Sequence, residues 1–492
     1  MYKFLYKWHK WIGIVISLPV IVWALSGLLH PTLRLTKPVL ETHKLVQQPV
    51  STEALMLEPD AVLKKYRITY VKNIRLVTMR DKHYYRVSLA DGKNEYFDTL
   101  SGKQLIDGEQ QHAEYLARHY LGDKSIGVSS IELVTAFNEE YAPINRFLPV
   151  WRVNFERNDD LRLYVDTESS RNAAAVDNLR AELLWWFGVL HDWSFLEKDN
   201  LGRIAIFIIA MLAMFIIGLT GLVLYGLRCQ CMKNTVGEQS RNNIAYFHRT
   251  IGLLISLSTL MFSFSGGMHV WHKLNPDARH TRHVENLFST EDLGKGIKQL
   301  LNTTTNTDSI QTFSLVKLNN EIYYRIVHAN NKRDGMGHTG HKKQKNWPKI
   351  SYVHSQSGDV LKDANIIHGQ QLASQLSGLN IDKIRSIQTV TRFNSEYGFI
   401  DRRLPVTQVQ YSTDGNPAYY VDPATDRLAA MVDDSRRFEK FTFRMFHKWR
   451  FADALGKNGR DGLIAVFILL NVVVIILGVL MFVRKRRSIT SR

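Results

Sequence analysis

Four runs of apolar residues stand out along the chain: Ile12–Leu29, Ile204–Leu227, Ile251–Met268 and Leu463–Val483. A helix rising ~1.5 Å per residue needs about 20 such residues to cross a hydrocarbon core ~30 Å thick, so each run predicts a spanning helix. Two long polar stretches, 31–200 and 271–460, separate the first run from the second and the third from the fourth. There apolar and polar residues alternate, as in YYRVSLADGKNEYF and VWRVNFERNDDLRLYVD, around Asp-Gly or Asn-Asp turns. That is the pattern of antiparallel hairpins. Helical segments, EQQHAEYLARHYL and 177–190, interrupt the strands. The predicted fold class is an α-helical membrane protein with four transmembrane helices and two α+β exported regions.

The chain also repeats itself. A shift of 239 positions lays HKWIGIVISL, from His9, on HRTIGLLISL, from His248, and ALSGLLH on SFSGGMH. From residue 96 the shift is 256, which carries FNEEY onto FNSEY, RFLPV onto RRLPV, LYVD onto YYVD and FGVLHDWSF onto FRMFHKWRF. An insertion around Asn330–Pro348 accounts for the change of shift. Each half therefore reads as a helix, a region of two tandem strand-turn-strand modules, and a second helix, the halves having the same orientation.

Charge sets that orientation. The N-terminus (MYKFLYKWHK), the short middle loop and the tail (RKRRSITSR) are rich in Lys and Arg, which places them in the cytoplasm and exports both long regions. The expected division is residues 1–30 for the cytoplasmic N-terminus and first helix, 31–200 for the first exported region, and 201–227 for the second helix. A cytoplasmic loop takes 228–247, the third helix 248–270, the second exported region 271–460, and the last helix with its basic tail 461–492. The first run lacks a small-residue cleavage site and reads as a retained helix. The net charge of +17 partly reflects these anchors, and no nucleic-acid-binding module accompanies it. Cys229 and Cys231, the only cysteines, fall in the cytoplasmic loop and read as incidental, so the exported regions rest on apolar cores without disulfides.

YYVDPATDRLAAMV resembles the strand-turn-strand of a PepSY domain. WHKWIG…SGLLH, with LHDWSFLEKDNLGR ahead of a helix ending IIGLTGLVLYGLR, resembles the PepSY-associated transmembrane family, and the likeness occurs twice over nearly the whole chain. Members of this family include bacterial inner-membrane proteins of iron uptake, some of them haem-containing reductases that release iron from ferric siderophores. The resemblance implies haem b, more than one and held by paired histidines, a ferric siderophore as partner, and a periplasmic location for the exported regions. Some members carry a fused flavin reductase module that this chain lacks. A separate flavoprotein or quinol is therefore expected as electron donor.

The repeat sorts the histidines. Of His9, His30, His43, His83, His112, His119 and His191 in the first half, four fall on a histidine in the second: His9 on His248, His30 on His269, His112 on His368, and His191 on His447. Bis-histidine haem needs imidazoles from opposing helices and room for a flat ring. His9, Gly13 and Ser17 share a helix face, as do His248, Gly252 and Ser256, and Ser26–Gly27 and Ser265–Gly266 lie near the outer histidines. Small residues also serve plain helix contact, and interfacial histidines can be simple anchors. The duplication favours an outer haem-iron cluster of His30, His191, His269 and His447, with its pairing open, and a further site at His9 and His248. A straight helix would put His9 and His30 on one face, one at each membrane surface.

Other candidates rank below these. His269, His272, His280 and His283 form pairs at metal-ligand spacing, but only His269 has a counterpart. His338 and His341 sit in the insertion, and His112 and His368 read as core or surface residues. Arg146 and Arg402 are candidates for contact with haem propionates or an anionic ligand, weighed evenly against structural ion pairs with Glu140 or Glu396. No Ser/His/Asp triad, P-loop or HExxH motif supports a hydrolase or ATP-driven pump. The reading is a haem-dependent ferric-siderophore reductase. Its rivals are a siderophore permease or binding protein, and a non-enzymatic PepSY regulator.

Overall fold

The computed structural model describes residues 2–42, 45, 49–51, 54–196, 201–232, 243–274, 282–294, 297, 309–329 and 347–490, the side chains of 228–232, 273, 309 and 485–490 excepted. The chain divides into two compact units. One comprises Met1–Lys37, Asn178–Asp277 and Asp433–Arg492, and the other Pro38–Asp177 and Ala278–Val432.

The first unit is helical. Numbered along the whole chain, its helices are α1 (Tyr2–Gly27), α2 (Leu29–Leu35), α5 (Asn178–Leu190), α6 (Leu201–Met232), α7 (Asn243–Trp271), α9 (Asp434–Thr442) and α10 (Gly456–Thr490). Among the described residues four spans are long and apolar enough to cross a membrane: Tyr2–Leu35, Leu201–Leu227, Asn243–Trp271 and Arg450–Arg484. α1 and α7 each pack along both α6 and α10. Small residues permit the approach: a Cβ on Gly218 of α6 would stand 3.1 Å from Leu260 of α7. On α7 the buried Ser256, Ser258, Ser263 and Ser265 turn their hydroxyls back onto carbonyls three or four residues earlier, which satisfies them inside the bundle.

The first span is not one straight helix. Pro31 has no N–H for the Gly27 carbonyl four residues back, so the α-helical ladder stops there. Leu28 N–H bonds instead to Leu25 O at 3.1 Å, and the chain turns into α2. His30 thus lies on α2, one turn residue beyond the helix that carries His9.

The second unit carries four antiparallel sheets. Two are simple meanders: β6 (Val128–Val134), β7 (Val150–Phe155), β8 (Arg162–Asp166) and β9 (Arg171–Val176), then β14 (Ile384–Val390), β15 (Val406–Tyr411), β16 (Ala418–Asp422) and β17 (Arg427–Val432). Their ladders slip at matching places, Val128/Ser130 and Tyr164/Val165 in one and Ile384/Ser386 and Tyr420/Val421 in the other. Helices α4 (Gly108–Leu121) and α8 (Ala364–Ser377) each lie against one meander.

The other two sheets exchange strands. β1 (Val50–Ser51) leaves the first polar stretch to pair with β11 (Ser309–Leu318), followed by β12 (Glu321–His328) and β13 (Ile350–His354). β10 (Phe288–Ser289) leaves the second stretch to pair with β2 (Tyr70–Met79), followed by β3 (Lys82–Leu89), β4 (Asn94–Asp98) and β5 (Gln104–Leu105). A short helix, α3 (Pro59–Lys65), joins the same core. That core is shared: Val50, Leu55, Ile74 and Tyr85 from one stretch pack with Phe288, Ile310, Phe313 and Tyr324 from the other. The two α+β regions therefore make one unit.

Candidate functional site

Both outer histidine pairs are built by short segments that precede a long helix. α5 ends at Leu190 and His191 follows in a turn, while α9 runs into a π-helical turn, Phe443–His447. π turns inside helices are uncommon and often mark functional positions. The rings then meet in the same order in each half, the histidine after each phenylalanine stacked on it and the one before it edge-on or tilted. His30, Phe187 and His191 follow one another with centroids 4.9 and 4.8 Å apart, and His269, Phe443 and His447 with 4.8 and 4.6 Å. His191, His269 and His30 all lie within electrostatic reach of His447. Burial pushes the His447 pKa down to about 3, assisted by His191, His269 and His30, so its imidazole is neutral at pH 7.

Hydrogen bonding engages the same ring nitrogen in five histidines. Ser26 Oγ lies 3.1 Å from Trp23 O and 3.1 Å from His191 Nδ1. Ser265 Oγ lies 2.8 Å from Met261 O and 3.3 Å from His447 Nδ1. Thr220 Oγ1 lies 2.7 Å from Ile216 O and 3.0 Å from His9 Nδ1. His248 Nδ1 donates to Val474 O at 3.0 Å, and His269 Nδ1 to the Glu439 carboxylate at 2.8 Å, so these two rings carry their proton on Nδ1 and their lone pair on Nε2. Metal-ligating histidines are held in this way, with one nitrogen donating to a fixed acceptor and the other turned to the metal. A buried histidine of purely structural role also needs a partner for its N–H. The same choice of nitrogen five times over, in matched places, is more than that need requires.

At the other end of the bundle His9 and His248 approach with ring centroids 6.5 Å apart and planes at 76°. Two imidazoles on one metal, each with its nitrogen ~2 Å away, would have centroids roughly 6 Å apart. Glycines make room beside them. A Cβ on Gly221 would stand 3.4 Å from His9 Cε1, and one on Gly478 3.2 Å from His248 Cε1. At the outer end Gly27 has its place for a Cβ 3.9 Å from His191 Cε1.

The remaining candidates fall elsewhere. Arg146 and Arg402 lie in the sheet unit, each just after a 3-10 turn, at φ 70° and 64°. Arg402 reaches Asn145 Oδ1 at 3.3 Å and Asn172 O at 3.4 Å, while Glu140 holds Arg162 and Glu396 accepts from Tyr420. His112 and His368 are buried beneath tyrosines, Nδ1 to the hydroxyl of Tyr96 at 2.9 Å and of Tyr352 at 3.0 Å. Asp426 engages the second nitrogen of His368 at 3.1 Å. His283 pairs with Glu285, and His272 lies 3.4 Å from Ser435 Oγ. His43, His280, His338 and His341 lie outside the described residues, as do the cysteine side chains. Among the described residues no three His, Cys, Asp or Glu side chains converge on a metal by themselves.

Several contributors were missed by sequence reasoning. Phe187 and Phe443 correspond under the repeat, so matching aromatic residues as well as histidines would have found them, whereas Gly221 and Gly478 do not, since IAIF at 204 laid on IAVF at 464 pairs Gly478 with Gly218. Glu439 corresponds to Leu183, and no repeat signal marks it.

No curated protein matches the chain. One family model does, over residues 6–485, and so takes in every span and sheet described above. By that match the chain belongs to the family of the PepSY-associated TM region.

Proposed function

We propose that this membrane protein is a haem-dependent oxidoreductase of the bacterial inner membrane, passing electrons to a ferric siderophore on the periplasmic side and so freeing iron for uptake. The shared engagement of Nδ1 in His9, His248, His191, His447 and His269 is the observation that carries the reading. His9 and His248 would hold one haem b between them. The outer set of His30, His191, His269 and His447 would hold the rest. Bound there, haem would supply one-electron transfer at a potential tuned by its histidine ligands and their burial.

The chain's own residues account for the remainder. Thr220, Val474, Ser26 and Ser265 fix ring orientation, and the glycines keep side chains off the imidazole edges. Ser26, which holds His191, lies about 25 Å of helix rise from His9, so the two sites belong to opposite ends of one span. The basic N-terminus and tail support a cytoplasmic His9 end, where a flavoprotein or quinol would deliver electrons. One electron suffices at the far side. Hard anionic oxygen donors favour Fe(III) and bind Fe(II) far less tightly, so the chelator is released uncut. A duplicated ancestry of the two halves would explain why the stacks and ladder slips recur.

The test is anaerobic. Reduced protein mixed with a ferric trihydroxamate chelate should be reoxidised while a ferrous-specific chelator captures equivalent Fe(II). A haem spectrum that stays reduced, with the ferric chelate intact, would refute the assignment.

A further inference from the structure

Beside the outer histidines the two halves differ in a hydrogen bond to His269. His269 Nδ1 donates to Glu439 Oε1 at 2.8 Å, and the Glu439 side chain is 14% exposed. Glu439 sits on α9, whose first turn is closed by Asp433 accepting from Arg436 N at 2.8 Å. The shift of 256 puts Leu183 of α5 where Glu439 stands, so the first-half counterpart, beside the segment that carries Phe187 against His30, is an aliphatic group.

Resting on the haem reading above, we propose that Glu439 is a positioning residue that makes His269 the stronger iron ligand and the two halves functionally unequal. A carboxylate accepting the Nδ1 proton locks the ring and pushes electron density onto Nε2. The greater donation stabilises Fe(III) over Fe(II), because second-shell hydrogen bonding is one of the levers on haem potential. Iron held through His269 is therefore the stronger reductant in the outer cluster, and His30, facing no carboxylate at that position, contributes less to holding or tuning it. A substrate taking its electron from the lowest-potential site would draw on the second half.

Full-length protein in detergent is titrated with dithionite and ferricyanide, with haem per protein measured in parallel. Glu439→Gln keeps a hydrogen-bonding side chain and removes the charge. It should raise the lowest midpoint so that the ferrous fraction at fixed potential grows about tenfold, which is 59 mV for one electron. Glu439→Asp, retaining the carboxylate, should keep the low midpoint, and Leu183→Glu should lower another wave. His269→Ala should lose haem where His30→Ala keeps most of it. Haem-loaded Glu439→Gln with unchanged midpoints would overturn this proposal alone, as would equal shifts in Gln and Asp variants. Wild-type protein that binds no haem would overturn both this proposal and the functional reading.

Discussion

His9 and His248, from opposite halves of the chain, meet with ring centroids 6.5 Å apart while their Nδ1 atoms are tied to Thr220 on α6 and Val474 on α10. Each ring is thus steered by a helix other than its own, and under the proposed function the two would be ligands of one iron. Alanine at either position should remove one haem from the protein and leave the outer bands in place, as measured by haem per polypeptide and the difference spectrum. Gly478→Val should act in the same direction, since the position for a Cβ is already 3.2 Å from His248 Cε1.

Ser26 and Ser265 hold the outer rings by single hydrogen bonds. Outer-shell partners of this kind typically contribute 10–100-fold to metal affinity. Ser26→Ala and Ser265→Ala should each weaken haem retention by about that factor, read from haem transfer to an acceptor apoprotein, with the helix content unchanged.

His112 gives a pH prediction in the sheet unit. Burial lowers its pKa from the ordinary 6.5 to about 4, against the pull of Glu109 and with help from Arg86. The unfolded chain therefore binds more protons between those values. Stability is fully present above pH 6.5 and falls as pH drops toward 4, by on the order of 3 kcal/mol. His112→Gln should flatten the fall in melting temperature across that window.

The exchanged strands predict that the two polar stretches unfold together. Leu55 is fully buried in the core to which both contribute. Leu55→Ala should cost roughly 2–5 kcal/mol and lower amide protection in β2 and β11 alike, a result two independent regions would not give.

How much of this was legible in the sequence follows from the range of each signal. The apolar runs and strand alternation are local and periodic, and they anticipate four candidate spans and the hairpins. The pairing of β1 with β11 and of β10 with β2 joins in each case a two-residue strand to a ten-residue one far along the chain, and β1 and β10 are too short for any period to show. The stop at Gly27 was available from Pro31 and was passed over because the hydropathy window continues through it. Histidines were found because the repeat marks them. Thr220, which anchors His9, could not be, because the matching anchor for His248 is a backbone carbonyl and leaves no side chain to compare. Glu439 breaks the repeat and is visible only through its distance to His269.

The central claim is that matched imidazoles hold porphyrin iron, and the reduced-minus-oxidised absorption spectrum of protein purified from haem-replete cells tests it most directly. Low-spin b-type bands are predicted, weakened by His191→Ala or His447→Ala and further reduced when His9→Ala is added. A colourless, well-folded preparation would contradict the account.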